Sequence, residues 1–107
     1  DDLIDTAGTI CNAAQALTNV GAKSISVCAT HGVLSGPALE RLSASPVEQI
    51  IVTNSIDQTE NCAKLSKLTV VDISSVLAEA VHRIHNFLSV SAIFEDDTII
   101  RRAEAIE

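Results

Sequence analysis

The chain reads Val47-Glu48-Gln49-Ile50-Ile51-Val52-Thr53 near its middle, where three consecutive apolar residues stand between polar neighbours. A second run of this kind occupies residues 68–73. Apolar runs of strand length, bounded by polar residues, are typical of strands that are buried on both faces of a parallel sheet. The two runs therefore predict two central parallel strands.

Helical patterns alternate with these runs. Apolar residues recur with the spacing of one helix face at Ile10, Ala13, Ala14 and Leu17. Ser35 precedes a Gly-Pro pair and can cap a short second helix, and Ser74 or Ser75 can cap a third helix that carries an apolar stripe. Because helix and strand patterns alternate, we expect an α/β fold with a mainly parallel sheet flanked by helices.

The remaining segments complete the predicted organisation. Residues 23–30 alternate apolar and small residues, which favours a strand packed on both sides, and residues 89–94 favour a short final strand. The polar segment 54–67 is predicted to be a surface connection, and residues 96–107 a tail that is either helical or frayed. We therefore expect one domain over residues 1–95, with a sheet that lacks its first strand or strands.

Composition excludes several classes of partner. Seven basic and fourteen acidic residues give a formal net charge of −7, which would repel nucleic acid. No apolar run reaches the roughly 18 residues of a membrane span. Cys11, Cys28 and Cys62 lack zinc-site spacing, which favours reduced thiols, with Cys28 as a small core residue. We expect a cytoplasmic protein that binds neither nucleic acid nor membrane.

The segment Asp1-Asp2-Leu3-Ile4-Asp5-Thr6-Ala7-Gly8-Thr9 opens directly onto the first predicted helix. A small-residue turn before a helix presents successive N–H groups and hydroxyls that can bind a phosphate. Asp1 and Asp2 would then face ribose hydroxyls or a divalent cation, so a sugar phosphate fits both halves. As an alternative, Asp5 or Thr6 merely caps the helix. Neither the P-loop nor the dinucleotide fingerprint is present.

This segment resembles the phosphoribosyl diphosphate signature of type I phosphoribosyltransferases and ribose-phosphate diphosphokinases. Further segments resemble the diphosphokinases in the same order: Thr30-His31-Gly32-Val33-Leu34-Ser35-Gly36-Pro37-Ala38, Val52-Thr53-Asn54-Ser55-Ile56, Leu77-Ala78-Glu79-Ala80 and Ser89-Val90-Ser91. The resemblance covers residues 1–94. It identifies the chain with the carboxyl-terminal, type I phosphoribosyltransferase-like part of that family.

The resemblance implies a site for ribose 5-phosphate. The phosphate would be bound by the signature turn, at Asp5, Thr6, Ala7, Gly8 and Thr9. Asp1 and Asp2 would hold the ribose hydroxyls. Enzymes of this family transfer a diphosphate from Mg-ATP to the anomeric hydroxyl of ribose 5-phosphate, so Mg²⁺ is the expected cofactor and phosphoribosyl diphosphate the product.

The resemblance also implies what the chain needs from elsewhere. The family's ATP site, with its catalytic Lys and Arg, lies in an amino-terminal part that this sequence does not include. We therefore expect no catalytic residue here, no activity of the chain alone, and a homo-oligomer in the full-length form. A regulatory phosphate or ADP site would include Ser89, Ser91 and Phe94.

Two other functions stay open on the sequence alone. One is a non-catalytic regulatory subunit associated with the synthetase. The other is a phosphoribosyltransferase that uses phosphoribosyl diphosphate, although the segments from Thr30 onward favour the diphosphokinases.

Among the histidines, His31 fits a local hydrogen bond in a turn, and His82 and His85 fit solvated helix positions better than zinc ligands.

Overall fold

The computed structural model describes residues 1–95, so the predicted tail over residues 96–107 lies outside the described part of the chain. The chain divides into two compact units, the first from Asp1 to Val71 and the second from Asp72 onward. The segment predicted to bind phosphate lies in the first unit.

The first unit has the predicted α/β architecture with parallel strands. It contains β1 (Leu3–Ile4), α1 (Gly8–Asn19), β2 (Ser26–Cys28), β3 (His31–Gly32), α2 (Ala38–Ala44), β4 (Gln49–Thr53), α3 (Thr59–Lys64) and β5 (Leu68–Val71). β1 pairs with β3, while β2, β4 and β5 form a second sheet in that order. All three pairings are parallel. Both runs predicted as strands are therefore strands, but within residues 1–95 only β4 is central, since β5 lies at the edge of its sheet there.

The core of the first unit combines side chains from strands and helices. Ile50 and Val52 of β4 are almost fully buried, as is Leu42 of α2. β2 departs from the prediction because only one of its faces meets the core: successive side chains of a strand point in opposite directions. Ser26 and Cys28 are accordingly exposed, and the interpretation of Cys28 as a core residue is wrong.

Two helices of the first unit differ from the sequence prediction, α1 in the burial of its apolar stripe and α2 in its cap. α1 buries Ala14 but leaves Leu17 half exposed, so its apolar stripe is only partly covered. α2 has no side-chain cap. The Ser35 hydroxyl, predicted to cap α2, instead donates a hydrogen bond to Asp5 in the segment before α1. This use of Ser35 brings the loop before α2 against the candidate site.

Asp57 fixes the start of α3. Its Oδ1 accepts hydrogen bonds from the Thr59 hydroxyl at 2.6 Å and from the Thr59 N–H at 3.0 Å. These two bonds, the hydroxyl's first, lower the pKa of Asp57 below its usual 3.8. Because the folded state has the lower pKa, the resulting stabilisation is fully present above pH 3.8 and is lost as the pH falls through the folded-state pKa.

We expect acid to loosen the start of α3. The protection of the Thr59 amide against exchange, relative to its intrinsic rate at each pH, should fall in the wild-type chain as Asp57 is protonated, below its usual pKa of 3.8. Asp57→Asn cannot titrate, so its Thr59 exchange should lose this acid-dependent step. An NMR titration of the Asp57 carboxyl carbon measures the pKa directly, and a value at or above 3.8 would contradict the assignment.

The second unit contains α4 (Ser74–His85) and α5 (Ala92–Glu95). Neither Ser74 nor Ser75 caps α4. Asp72 Oδ1 instead accepts the Ser74 N–H at 2.8 Å. The strand predicted over residues 89–94 is wrong: the N–H groups of Ile93 and Phe94 bond to carbonyls three residues earlier, so this segment turns into α5.

The apolar stripe of α4 is exposed in this unit. Its larger members are 57 to 68% accessible, at Leu77, Val81 and Ile84. α5 has only four residues, of which Ile93 is buried. None of the helices in residues 1–95 combines the length and the apolarity that a membrane crossing requires.

Candidate functional site

The turn between β1 and α1 forms the centre of the candidate site. β1 ends at Ile4 and α1 begins at Gly8. Ala7, between them, has φ 62° and ψ 9°, the left-handed conformation, and only 5% of it is exposed. This conformation costs a residue with a Cβ about 1 kcal/mol, and such strain is typical of functional turns. The reversal is therefore made by Ala7 rather than by the neighbouring glycine.

The first turn of α1 is open to an anion. No side chain caps this helix, so the alternative in which Asp5 or Thr6 merely caps it is not observed. The first N–H groups of a helix have no partner within the helix, and the helix dipole makes this end attractive to negative charge. The side chains of Thr6 and Thr9 are exposed at this turn. Backbone donors and hydroxyls thus occur together, as phosphate binding requires.

A cavity of about 230 Å³ opens on the turn and is lined by Asp1 and by residues 3–10. This volume lies below the roughly 300 Å³ at which pockets for drug-sized ligands begin. It suits a small ligand such as a sugar phosphate better than a nucleotide. Six of the seven residues predicted to bind substrate line the cavity, and Asp2 does not.

Two side chains from distant parts of the sequence hold the turn. The Ser35 hydroxyl donates to Asp5 Oδ1. Arg41, in α2, donates from Nη1 to the Thr6 carbonyl at 3.0 Å. Sequence reasoning missed Arg41 and assigned Ser35 to another role, because both lie 30 or more residues from their partners and no local pattern signals the contact.

The main chain of the acidic pair is held against the neighbouring strands. The Asp1 nitrogen donates to the Cys28 carbonyl at 3.0 Å. The His31 N–H donates to the Asp2 carbonyl at 2.8 Å. Both carboxyl side chains belong to exposed residues, and Asp1 Oδ1 accepts the Asp2 N–H at 2.8 Å. The two carboxylates are thus available beside the turn, but their immediate backbone is fixed.

Side-chain hydrogen bonds join β3, and the residue before it, to the end of β4 and the loop that follows it. His31 Nδ1 and Ser55 Oγ lie 2.7 Å apart in a hydrogen bond. Thr53 Oγ1 donates to the Thr30 carbonyl at 2.7 Å. The prediction of a local hydrogen bond in a turn is wrong for His31, because it lies in β3 and its side chain bonds to Ser55, 24 residues away.

The predicted regulatory residues lie in the second unit. Ser89 Oγ and Ser91 Oγ are 3.0 Å apart. Arg83 Nε donates to the Ser89 carbonyl and Arg83 Nη1 pairs with Glu79 at 3.2 Å, so the segment is tied to α4. Phe94 is 80% exposed. The structure thus brings the two serines together, while their role in regulation stays a prediction.

Metal-ligand geometry is sparse in the described residues. Across residues 1–95, no three side chains of His, Cys, Asp or Glu come together as a metal site. His82 and His85 are exposed on α4, as predicted. Mg²⁺, however, is usually bound by one or two carboxylates together with substrate oxygens and water. The exposed carboxylates of Asp1 and Asp2 are of the ligand type that this mode of binding uses.

Comparisons with known proteins agree with the geometry. Residues 1–95 match the family model described as "Phosphoribosyl synthetase-associated domain". A ribose-phosphate pyrophosphokinase from Clostridium acetobutylicum is 47% identical over 97 residues, which cover 91% of this chain and 30% of that protein. One from Caldanaerobacter subterraneus is 51% identical over 94 residues, covering 88% of this chain and 29% of the relative.

A solved structure is similar as well. The crystal structure of phosphoribosylpyrophosphate synthetase from Mycobacterium smegmatis matches with a TM-score of 0.76 and 42% identity over 80% of this chain and 28% of its own chain. The fold of the chain is thus of the phosphoribosyltransferase type, as expected. The chain spans about 30% of the length of the curated relatives that it matches.

Proposed function

Because the chain belongs to the phosphoribosyl synthetase-associated domain family, we propose that it is the carboxyl-terminal, ribose 5-phosphate-binding part of a ribose-phosphate pyrophosphokinase, also called a diphosphokinase. Both relatives carry the name ribose-phosphate pyrophosphokinase, which gives ribose phosphate as their substrate. The observation that carries the proposal is the uncapped first turn of α1, which opens on a cavity of about 230 Å³ lined by the signature residues.

The phosphate end of the ligand is assigned to the turn. The backbone N–H groups of Ala7, Gly8 and Thr9, with the hydroxyls of Thr6 and Thr9, would donate to phosphate oxygens. Asp5 contributes mainly through its bond to Ser35, which fixes the turn. The Asp5 carboxylate already accepts a hydrogen bond from the Ser35 hydroxyl and is turned toward that donor. Its repulsion of the phosphate is therefore reduced.

The ribose end is assigned to Asp1 and Asp2. Carboxylates accept hydrogen bonds from sugar hydroxyls, and the two side chains are exposed beside the turn. Bound Mg²⁺ would be held by the same carboxylates together with ligand oxygens, and it would neutralise charge on the transferred diphosphate. The backbone bonds of this pair to β2 and β3 keep the carboxylates in place while a ligand exchanges.

The complete reaction needs groups beyond this chain. In the proposed full-length protein, diphosphate passes from Mg-ATP to the anomeric hydroxyl of ribose 5-phosphate, giving phosphoribosyl diphosphate for nucleotide biosynthesis. The ATP site and the catalytic Lys and Arg are assigned to the amino-terminal part, so we propose that this chain alone is inactive.

We also propose a cytoplasmic homo-oligomer that binds neither nucleic acid nor membrane. A regulatory phosphate or ADP would bind at Ser89, Ser91 and Phe94. The exposed stripe of α4 supports association, because large apolar patches on a surface are typical of interfaces.

Calorimetric titration with ribose 5-phosphate, with and without Mg²⁺, tests the proposal. We expect the chain to bind, and Thr9→Val to bind about tenfold more weakly, because a hydrogen bond to a charged group contributes about 1.5 kcal/mol. The matched control is Thr18→Val on the same helix, whose hydroxyl bonds to the Ala14 carbonyl and not to the turn. A folded chain that does not bind ribose 5-phosphate would overturn the assignment.

A second variant separates the two ends of the ligand. Asp2→Asn is expected to weaken binding of ribose 5-phosphate while leaving inorganic phosphate unaffected, since it alters only the ribose end. An assay of diphosphate transfer from ATP should give no turnover with this chain. Turnover by the chain alone would contradict the proposed division of labour between the two parts of the enzyme.

A further inference from the structure

Arg41 contacts the turn between β1 and α1, the segment proposed to bind phosphate. It lies in α2 and donates from Nη1 to the Thr6 carbonyl at 3.0 Å, across 35 residues of sequence. Its Nη1 also lies 3.2 Å from the place that a Cβ on Gly8 would occupy. Arg41 is not among the residues that line the cavity of about 230 Å³. It lines instead a separate groove between α1 and α2, which shares only Gly8 with that cavity.

The bond to Thr6 fixes the orientation of one peptide group. In a trans peptide the C=O and the following N–H point in opposite directions. The Thr6 carbonyl accepts from Arg41, so the Ala7 N–H points away from Arg41. Thr6 and Ala7 both line the cavity, whereas Arg41 does not. Ala7 is in the strained left-handed conformation, and a strained residue persists only where its surroundings hold it.

We propose that Arg41 is a positioning residue for phosphate binding: by holding the Thr6 carbonyl, it aims the Ala7 N–H at the bound phosphate. This inference rests on the proposed function and deepens it. Among residues 1–95 the guanidinium makes no other hydrogen bond or ion pair that would give it a different structural role. Ser35 holds Asp5 in the same turn, so the turn is fixed from α2 and from the loop before it.

Two simpler roles for Arg41 make different predictions. If its charge alone attracted the phosphate, the effect of its removal would disappear at high salt, because exposed charges are screened over about 3 Å at 1 M salt. If it merely packed α1 against α2, its removal would lower the melting temperature without a specific effect on phosphate. If Arg41 instead fixes the peptide group between Thr6 and Ala7, its removal should weaken binding at high salt as well as at low salt, and only for ligands that carry a phosphate.

The test compares the wild-type chain with Arg41→Met, and uses Lys64→Met as the control for loss of one positive charge, because Lys64 is exposed on α3. We expect Arg41→Met to bind ribose 5-phosphate and inorganic phosphate five- to tenfold more weakly at both 0.1 M and about 1 M salt. Its melting temperature should stay within a few degrees of the wild type, and Lys64→Met should bind as the wild type does. Arg41→Lys should recover part of the affinity, since its ammonium can also donate to a carbonyl.

The NMR signals of the backbone amides give a readout that is specific to the turn. We expect inorganic phosphate to shift the Ala7 amide resonance in the wild-type chain and much less in Arg41→Met, while the amide resonances in the middle of α1 stay the same in both. If the wild-type chain binds ribose 5-phosphate and Arg41→Met binds it equally tightly, the role of Arg41 is overturned and the proposed function stands. If the wild-type chain binds neither ligand, the proposed function fails and the role of Arg41 fails with it.

Discussion

Replacing Lys67 by methionine is expected to lower the free energy of unfolding by about 3 kcal/mol. Lys67 Nζ donates to three carbonyls, those of Leu42 at 2.9 Å, Ser45 at 3.0 Å and Val47 at 2.8 Å. These carbonyls lie at and just beyond the end of α2, where the helix dipole is negative and a cation is favoured. Methionine fills a similar volume but donates nothing, so the carbonyls lose a charged partner that is itself half-buried.

Urea unfolding of the two chains measures the effect. Lys64→Met is the matched control, because Lys64 is exposed and its loss removes the same charge. The control should stay within about 0.5 kcal/mol of the wild type, as exposed substitutions usually do. Equal stability of Lys67→Met and the wild type would show that water replaces the three bonds at no net cost. Since α2 also carries Arg41, a loosened α2 should weaken phosphate binding too.

The sequence predicted those parts of the fold in which local pattern and burial agree. The apolar run that became β4 is buried at Ile50 and Val52, which a strand places on the same face. The run from residue 68 became β5 for the same reason. The first helix was placed correctly because its apolar residues recur with helical spacing within the segment that forms α1.

The wrong predictions arise where a side chain or a backbone group bonds to a partner that local pattern does not reveal. Residues 89–94 have the composition of a strand, but no neighbouring strand is described for them to pair with, and their N–H groups bond within the segment. Cys28 alternates like a core residue, but its face of β2 is not covered in residues 1–95. Period 2 alternation thus identified the strand without identifying its buried face.

The candidate site shows the same division between local and distant information. The segment from Asp1 to Thr9 was located from sequence because its chemistry is contiguous: small residues, hydroxyls and carboxylates precede a helix. Its supports, Ser35 and Arg41, were not located, because their contacts to Asp5 and Thr6 depend on how α2 packs. Local pattern therefore reveals the groups that touch a ligand more readily than the groups that hold them in position.

A third support of the site is the close contact between β3 and β4. Gly32 is the register partner of Ile4 in β1, so it lies two residues along the ladder from the acidic pair. Gln58, which is 4% exposed, donates from Nε2 to the Gly32 carbonyl at 2.6 Å. A buried amide left without its acceptor costs about 1 to 3 kcal/mol, so this bond ties β3 firmly to the residue that precedes α3.

Gly32→Ala is therefore expected to lower the free energy of unfolding by about 2 kcal/mol, because a Cβ at this position would overfill a packed region. The added carbon would lie 3.1 Å from Gln58 Nε2 and 3.1 and 3.3 Å from the two methyl groups of Val52. Val52 is 1% exposed and cannot move into solvent. The strain should also move β3 away from β4, and β1, which pairs with β3, should move with it, so ribose 5-phosphate should bind more weakly.

Urea unfolding of Gly32→Ala, Val52→Ala and the double variant checks the cause of this destabilisation. The double variant should be less destabilised than the sum of the single effects by about 1 kcal/mol, since removal of the Val52 methyl groups makes room for the new carbon. Simple additivity of the two substitutions would show that the Val52 side chain is not what requires a glycine at position 32, because two residues that compete for the same space cannot have independent effects on stability.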